Sequence, residues 1–384
     1  MNIGIIGYST SEFGELWDRS PRSLAAEVMQ ESLKMAGIHA KDIDALLVGN
    51  MLAGILGNQA NLASFYAEEL SGASAGIAAV RVEAACASGS VALHNAIQGI
   101  KSGTYQTVMV LGIEKMTDHS QDEVVAGLMA AGSDEERASG VTFAGLYGIM
   151  ARAYFEKYNI SEEQLASIPV KNHYHGSFNN KAQFRSQITI ETVMRSPKIA
   201  DPLKLLDCSP ISDGASAIII TSNKKLLKKN TVTIVASQIG TASVGLSGRD
   251  ELTTLSSAVA AGNKAYKEAG IKASSVNVVE VHDCFSIAEA IALEDLSISK
   301  KGRGVLDVVD GKMTLGNGGI VINPSGGLKA CGHPVGATGI KQVIEIATQL
   351  ENKAGKRQVK NASIGLTHNV GGSGAIAAVH ILRI

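Results

Sequence analysis

One thiol stands among small residues in "EAACASGSVALHNAI" (83–97), where a strand gives way to a helical pattern. At such a junction Cys86 would face unpaired backbone N–H groups and the positive end of a helix dipole, which lower a thiol pKa. Its own N–H could help hold an oxyanion. Ala85, Ala87, Ser88 and Gly89 leave room for a bulky substrate. A structural cysteine in a packed core reads the same way from local sequence.

"NPSGGLKACGHPVGATG" (323–339) is more specific. Pro334 fixes the backbone after His333, and the glycines and following helix predict a rigid, exposed loop. His333 is a candidate base for Cys86, with a structural histidine as the alternative. "EVHDCFS" (280–286) puts His282, Asp283 and Cys284 at the end of an apolar strand, a common place for chemistry in α/β proteins. His282 could donate to an oxyanion, and Cys284 could act as a second acid/base. The same atoms suit a metal, but no second ligand cluster lies nearby in sequence, so no metal is expected. "LTHNVGGSGA" (366–375) adds His368, Asn369 and a glycine-rich turn. Its N–H groups could point at a ligand, or the turn could simply join two strands. Ser209 and Ser212 in "CSPISDGASAIII" (208–220) could touch a ligand or serve the turn.

These residues need elements to hold them. "NIGIIGYS", "DALLVGN" and "TVMVLGIE" read as buried strands, and "SLAAEVMQESLKMAGI" (23–38) and "VALHNAIQGIKSG" (91–103) as helices. The alternation predicts a layered α/β fold. It also repeats. Residues 255–283 align with 24–50, setting Gly270 against Gly37, and 333–344 align with 86–97, setting His333 against Cys86. The offset grows from 233 to 247, and 307–323 is the expected place for the extra residues. Two similar halves follow, the first 1–116 with 207–230 and the second 231–384. Residues 117–206 fit neither and read as an insertion covering one face of the first half.

Composition narrows the function. Hydrophobic residues at 45% against 18% charged describe a globular chain. Lys plus Arg (35) balances Asp plus Glu (36), so no nucleic-acid partner is expected. No apolar run reaches a membrane span, and the N-terminus lacks signal-peptide features. Four cysteines without CxxC spacing suit free thiols, and a cytoplasmic location is expected.

Taken together, "ACASG", "HDCF", "NPSGG…GHPVGATG" and "HNVGGSGA" resemble the thiolase superfamily over essentially the whole chain. The nearest resemblance is to archaeal acetoacetyl-CoA thiolases and sterol-carrier-protein-type thiolases. It implies a five-layered α-β-α-β-α fold of two duplicated halves with an inserted loop domain. It implies an acetyl-CoA C-acetyltransferase that joins two acetyl-CoA in a Claisen condensation, or splits a 3-ketoacyl-CoA with CoA. Cys86 would be acylated and His333 would activate it. His282 with His333 would hold the enolate, and N–H groups of Cys86 and the 368–371 turn (His368, Val370, Gly371) the acyl intermediate. Bacterial members carry Asn where His282 stands and a second catalytic cysteine where His368 stands. The resemblance therefore moves the second thiol to Cys284, with Cys331 and His368 as rivals. Ser209, Ser325 and Gly326 would line the pantetheine tunnel.

No cofactor is implied beyond the coenzyme A thioester substrates. The resemblance further implies a homodimer or homotetramer and a role feeding mevalonate synthesis. There the partners would be 3-hydroxy-3-methylglutaryl-CoA synthase and a zinc-binding OB-fold protein. Degradative turnover of longer or branched acyl chains is the alternative, and an inactive scaffold a third.

Overall fold

The computed structural model describes residues 2–71 and 76–384; Met1 and residues 72–75 lie outside it. The first half runs β1 (Gly4–Thr10), α1 (Pro21–Ala36), β2 (Ala45–Gly49), α2 (Leu62–Ser71), β3 (Ala78–Val82), α3 (Ser88–Lys101) and β4 (Thr107–Glu114). An insertion follows: α4 (Gln121–Met129), α5 (Asp134–Ser139), α6 (Phe143–Tyr158), α7 (Glu162–Leu165), α8 (Ser167–Gly176), α9 (Ile190–Arg195), β5 (Lys198–Ala200) and β6 (Leu203–Lys204). β7 (Gly214–Thr221) completes the first half. The second half runs β8 (Thr233–Thr241), α10 (Ser256–Ala269), β9 (Val278–Glu280), α11 (Ser286–Asp295), α12 (Gly304–Val309), β10 (Val321–Ile322), α13 (Gly327–Cys331), α14 (Val335–Leu350), β11 (Ile364–Gly371) and β12 (Ile376–Arg383).

The strands order as β3-β2-β4-β7-β1 and β8-β12-β11-β9-β10, and the two sets meet at the pair Gly4–Thr233. Because side chains alternate along a strand, each sheet buries both faces. In β4, Val108 and Val110 join a core with α3 and α14, whereas Met109, Leu111 and Ile113 face α1 and α2. In the second half, Val278, Ala378 and Leu382 face α3 and α14, while Val279, Val379 and Ile381 pack with α10 and α11. The result is five layers, with α3 and α14 in the middle.

The duplication is visible in detail. Gly37 and Gly270 close α1 and α10 in the same left-handed conformation, φ 68° and 65°, each donating its N–H to carbonyls of the last turn. The growth in offset occurs in two steps. Ala45 matches Val278 (233), Ala78 matches Val321 (243), and Cys86 matches His333 (247). The extra residues thus fall partly before β10 and partly in α13, not wholly in 307–323.

The insertion corrects a second expectation. Its main contact is with the second half, not the first. Leu146, Tyr147, Met150, Ala151 and Tyr154 of α6 share a core with Ile287 and Ile291 of α11. In α8, Lys171 pairs with buried Glu289 at 2.8 Å, and the Asn172 amide donates to Asp283 (2.7 Å) and Glu289 (2.8 Å). The polar pattern that marked this segment as a cover holds buried partners of the 282–289 stretch. α4 does meet the first half, with Val124 beside Leu52 and Met116. Among the described residues no helix is long and apolar enough to cross a membrane.

Candidate active site

Two strand–helix junctions meet at the centre. Cys86 follows Ala85, whose φ is +50°, and precedes α3; His333 follows Gly332, φ 107°, and precedes α14. The helices approach closely because glycines face each other. A Cβ on Gly89 would lie 2.5 Å from the Gly336 carbonyl, and one on Gly336 would lie 2.5 Å from the Ile113 carbonyl and 2.6 Å from that of Gly49. Cys86 Sγ and one ring nitrogen each of His282 and His333 all lie within 4.8 Å of one another. The two imidazoles meet edge to face, with centroids 5.0 Å apart.

Their neighbours give the two rings opposite tautomers. Thr338 Oγ1 donates to the Pro334 carbonyl (3.0 Å), so at 2.7 Å it accepts from His333 Nδ1–H. That leaves a lone pair on His333 Nε2, which is buried without a partner among the described residues. The Asn369 amide donates to His282 Nδ1 at 2.9 Å, so His282 carries its proton on Nε2, also buried and unpartnered. One ring presents a base and the other a donor. Burial holds both neutral: His333 is pushed down to about 3, and His282 well below its ordinary value, helped by neighbouring His333 and His368. The expected exposed loop at His333 is in fact buried, sealed by the His333 N–H bond to Ser212 Oγ at 3.0 Å.

The thiol also departs from expectation. Burial raises the Cys86 pKa, nearby Cys284 and Glu114 raise it further, and the N–H groups of Gly372 and Cys86 offset only part of this. Cys86 is therefore protonated at rest, despite its place before a helix, and would need a base to act as a nucleophile. The N–H beside the sulfur belongs to Gly372, in the turn after β11. Val370 and Gly371 are instead strand residues paired with Ala377 and Ile376 of β12. Cys284 is buried next to Cys86, and burial pushes its thiol up to about 12 against a hydrogen bond from Tyr147.

Two neighbours of this cluster escaped the sequence reading. Tyr147, from the insertion, stacks on Phe285 at 4.7 Å and reaches toward the Gly372 carbonyl at 3.4 Å. Nothing local to α6 marks it. Glu114 ends the apolar run "TVMVLGIE", and a charge there was a usable signal. Its carboxylate accepts from Asn50 Nδ2 (2.7 Å) and from the N–H groups of Met51 (3.0 Å), Leu52 (3.0 Å) and Gly336 (3.1 Å), tying the first half to the start of α14. Burial still outweighs these bonds and lifts it to about 7.

Other predicted residues lie apart from this cluster or play a structural part in it. Both ring nitrogens of His368 are buried and unpartnered beside His282, and burial lowers it to about 4. Cys331 packs with Phe13, Ala182 and Ala337. Ser209 donates its N–H to the Cys284 carbonyl at 2.8 Å, fixing that residue's backbone. Ser325 is fully buried, with its hydroxyl and N–H both given to Glu280 at 2.7 and 3.0 Å. Gly326 is buried against Gly176 of α8.

This arrangement, a thiol, an imidazole base, an imidazole donor and a turn of N–H groups on a duplicated five-layered frame, has known counterparts. The profile "Thiolase, N-terminal domain" matches residues 3–224 and "Thiolase C-terminal domain-like" matches 240–384. The chain belongs to the thiolase family. An acetyl-CoA acetyltransferase of Methanothermobacter thermautotrophicus is 44% identical, covering 99% of each chain. Its counterpart in Methanocaldococcus jannaschii is 43% identical over 99% of this chain and 98% of that one. Among solved structures, one described as "Ltp2-ChsH2(DUF35) aldolase" superposes with a TM-score of 0.84 at 21% identity, covering 100% of this chain and 97% of that one. The relatives support an acyltransferase with thiolase activity; coenzyme A and its acetyl and acetoacetyl thioesters are the family's substrates.

Proposed function

We propose that the chain condenses two acetyl-CoA to acetoacetyl-CoA and CoA, reversibly, through an acetyl thioester on Cys86. The observation that carries this reading is the convergence of Cys86 with two buried, unpartnered and oppositely protonated imidazole nitrogens. His333 Nε2 takes the Cys86 proton as sulfur attacks the first acetyl-CoA. The same proton goes to the departing CoA sulfur. The N–H groups of Cys86 and Gly372 hold the tetrahedral oxyanion. With CoA gone, His333 Nε2 takes the proton of the Cys284 thiol; the Cys284 thiolate then removes a C2 proton from the second acetyl-CoA while His282 Nε2–H and the reprotonated His333 hold the enolate oxygen. The enolate carbon attacks the thioester, and Cys86 leaves as product forms. The high pKa of Cys284 suits removal of a weakly acidic C–H proton, once another base has generated the thiolate.

A short acyl group is favoured by the side chains around the thiols. Tyr147 and Phe285 stack at 4.7 Å, fully and partly buried, and pack in one core with Cys284. In the cytoplasm, the uphill condensation would be drawn forward by a synthase consuming acetoacetyl-CoA toward mevalonate. A zinc-binding OB-fold partner and a dimer or tetramer are part of this proposal.

Thiolysis rates across a series of 3-ketoacyl-CoAs test the substrate. Acetoacetyl-CoA is expected to give the highest kcat/KM, and Tyr147→Ala to raise turnover of longer chains. A wild-type preference for six carbons or more would reject the acetyl reading. Intact-mass measurement after acetyl-CoA tests the chemistry: one acetyl group on Cys86, absent from Cys86→Ala.

A further inference from the structure

We propose that Cys86, His282 and His333 bind one thiophilic divalent cation of the Zn2+ class, and that the bound ion blocks acylation. The inference rests on Cys86 being the acylated thiol, and it adds a reversible inhibitor to that site. Three features carry it. The donor atoms already lie within 4.8 Å of one another. Tetrahedral zinc, with bonds of about 2.0–2.1 Å to nitrogen and about 2.3 Å to sulfur, needs donors about 3.3–3.8 Å apart, so about 1 Å of closure completes the triad.

The ring nitrogens left over once Nδ1 is bonded on each ring, Nε2 of His282 and of His333, are buried and have no partner among the described residues. Each ring is also held from behind. Thr338 fixes His333 through Nδ1 with the Nε2 lone pair already free. For His282, a half-turn of the Asn369 carboxamide lets Nδ1–H donate to Oδ1, which has no partner otherwise, and frees the Nε2 lone pair. Such outer partners orient metal-binding histidines.

The donor set selects the ion. One sulfur and two imidazoles suit Zn2+ and its borderline-soft neighbours, whereas Mg2+ and Ca2+ require oxygen ligands. Binding exchanges the Cys86 proton for the cation and releases that proton to solvent. The sulfur then has no free lone pair aimed at a thioester, and His333 has no lone pair to receive a proton.

Co2+ is the spectroscopic probe, added to metal-stripped full-length protein. One equivalent is expected to give a sulfur-to-cobalt charge-transfer band with tetrahedral d–d bands, and Zn2+ to displace it. Zn2+ should inhibit thiolysis, and a chelator should restore the rate. Thr338→Val should weaken cobalt binding about 10–100-fold. Prior acetylation of wild-type Cys86 by acetyl-CoA should abolish the band, an arm that needs no variant to fold. No band at stoichiometric Co2+, or a band that survives acetylation or Cys86→Ala, overturns the proposal. A cobalt band in protein that never forms an acetyl adduct would instead reject the thiolase chemistry and leave the metal site standing.

Discussion

Cys86 and His333 sit at matching junctions, each after a residue of positive φ and each two positions before a central helix. The backbone has been kept and the chemistry has not. In the first half the left-handed position is Ala85, φ +50°, where a Cβ costs about 1–2 kcal/mol; in the second it is Gly332, φ 107°, where none is present. The first junction leaves its thiol half-buried and ringed by small side chains. The second is sealed, with His333 held at its N–H by Ser212 and at Nδ1 by Thr338. The difference teaches a division of labour: the thiol junction stays reachable by substrate, and the imidazole junction is fixed in tautomer and direction.

The largest test removes the base from the sealed junction. His333→Asn is expected to lower kcat about 10²–10⁴-fold, with the acetyl adduct on Cys86 forming correspondingly slowly. A rate near wild type would show that the two junctions do not work as a pair.

A second test uses pH and the concentration of imidazoles in the second half. Burial lowers His333 and His380 to about 3 and His368 to about 4, also lowers His282 well below its ordinary value, and in the insertion lowers His175 to about 3. The unfolded chain protonates these groups near pH 6.5 and the folded chain does not, so their contribution is full above that pH and is lost as pH falls. Three buried carboxyls oppose them: Glu114 is raised to about 7, and Asp283 and Asp295 to about 6, so their contribution is present at low pH and lost as pH rises through those values. The five histidines outnumber the three carboxyls. The urea midpoint is therefore expected to fall between pH 7 and pH 5. A midpoint that rises instead would mean the carboxyls dominate.

A third test strikes where the halves touch. Gly336→Ala would press a methyl against backbone carbonyls of Ile113 and Gly49, and is expected to cost about 1–3 kcal/mol in a urea titration. An unchanged midpoint would show that α14 can withdraw from the first half. The smallest effect is expected from Ala85→Gly. It relieves the left-handed penalty but returns about 0.5–1 kcal/mol of unfolded-chain entropy, so stability should rise by under about 1 kcal/mol in thermal melts. A loss of stability would mean that the Ala85 methyl packs more tightly than its strain costs.

The duplicated frame was legible because its signals are local: the periodicity of α1 and α10, the glycines that cap them, and the apolar runs of β1, β2 and β4. The Cys86–His333 correspondence came from that repeat. Features made by contacts between distant segments were not legible. The face chosen by the insertion depends on buried polar pairs such as Lys171–Glu289, and a pattern of polar residues does not say which surface they will meet. The donor at Gly372, one place past the expected turn, depends on where the β11–β12 pairing ends. The raised thiol pKa arises because enclosure by both halves outweighs the dipole that a helix start suggests.

The glycine-lined crossing of α3 and α14 also sets a timetable. The proposed nucleophile and base are 247 positions apart in the chain, and contacts of such separation form late in folding. Until the second half docks, Cys86 lacks both the imidazole proposed to deprotonate it and the Gly372 N–H that lies against its sulfur. Reactivity is thus a property of the finished molecule, and a half-made chain carries a quiet thiol.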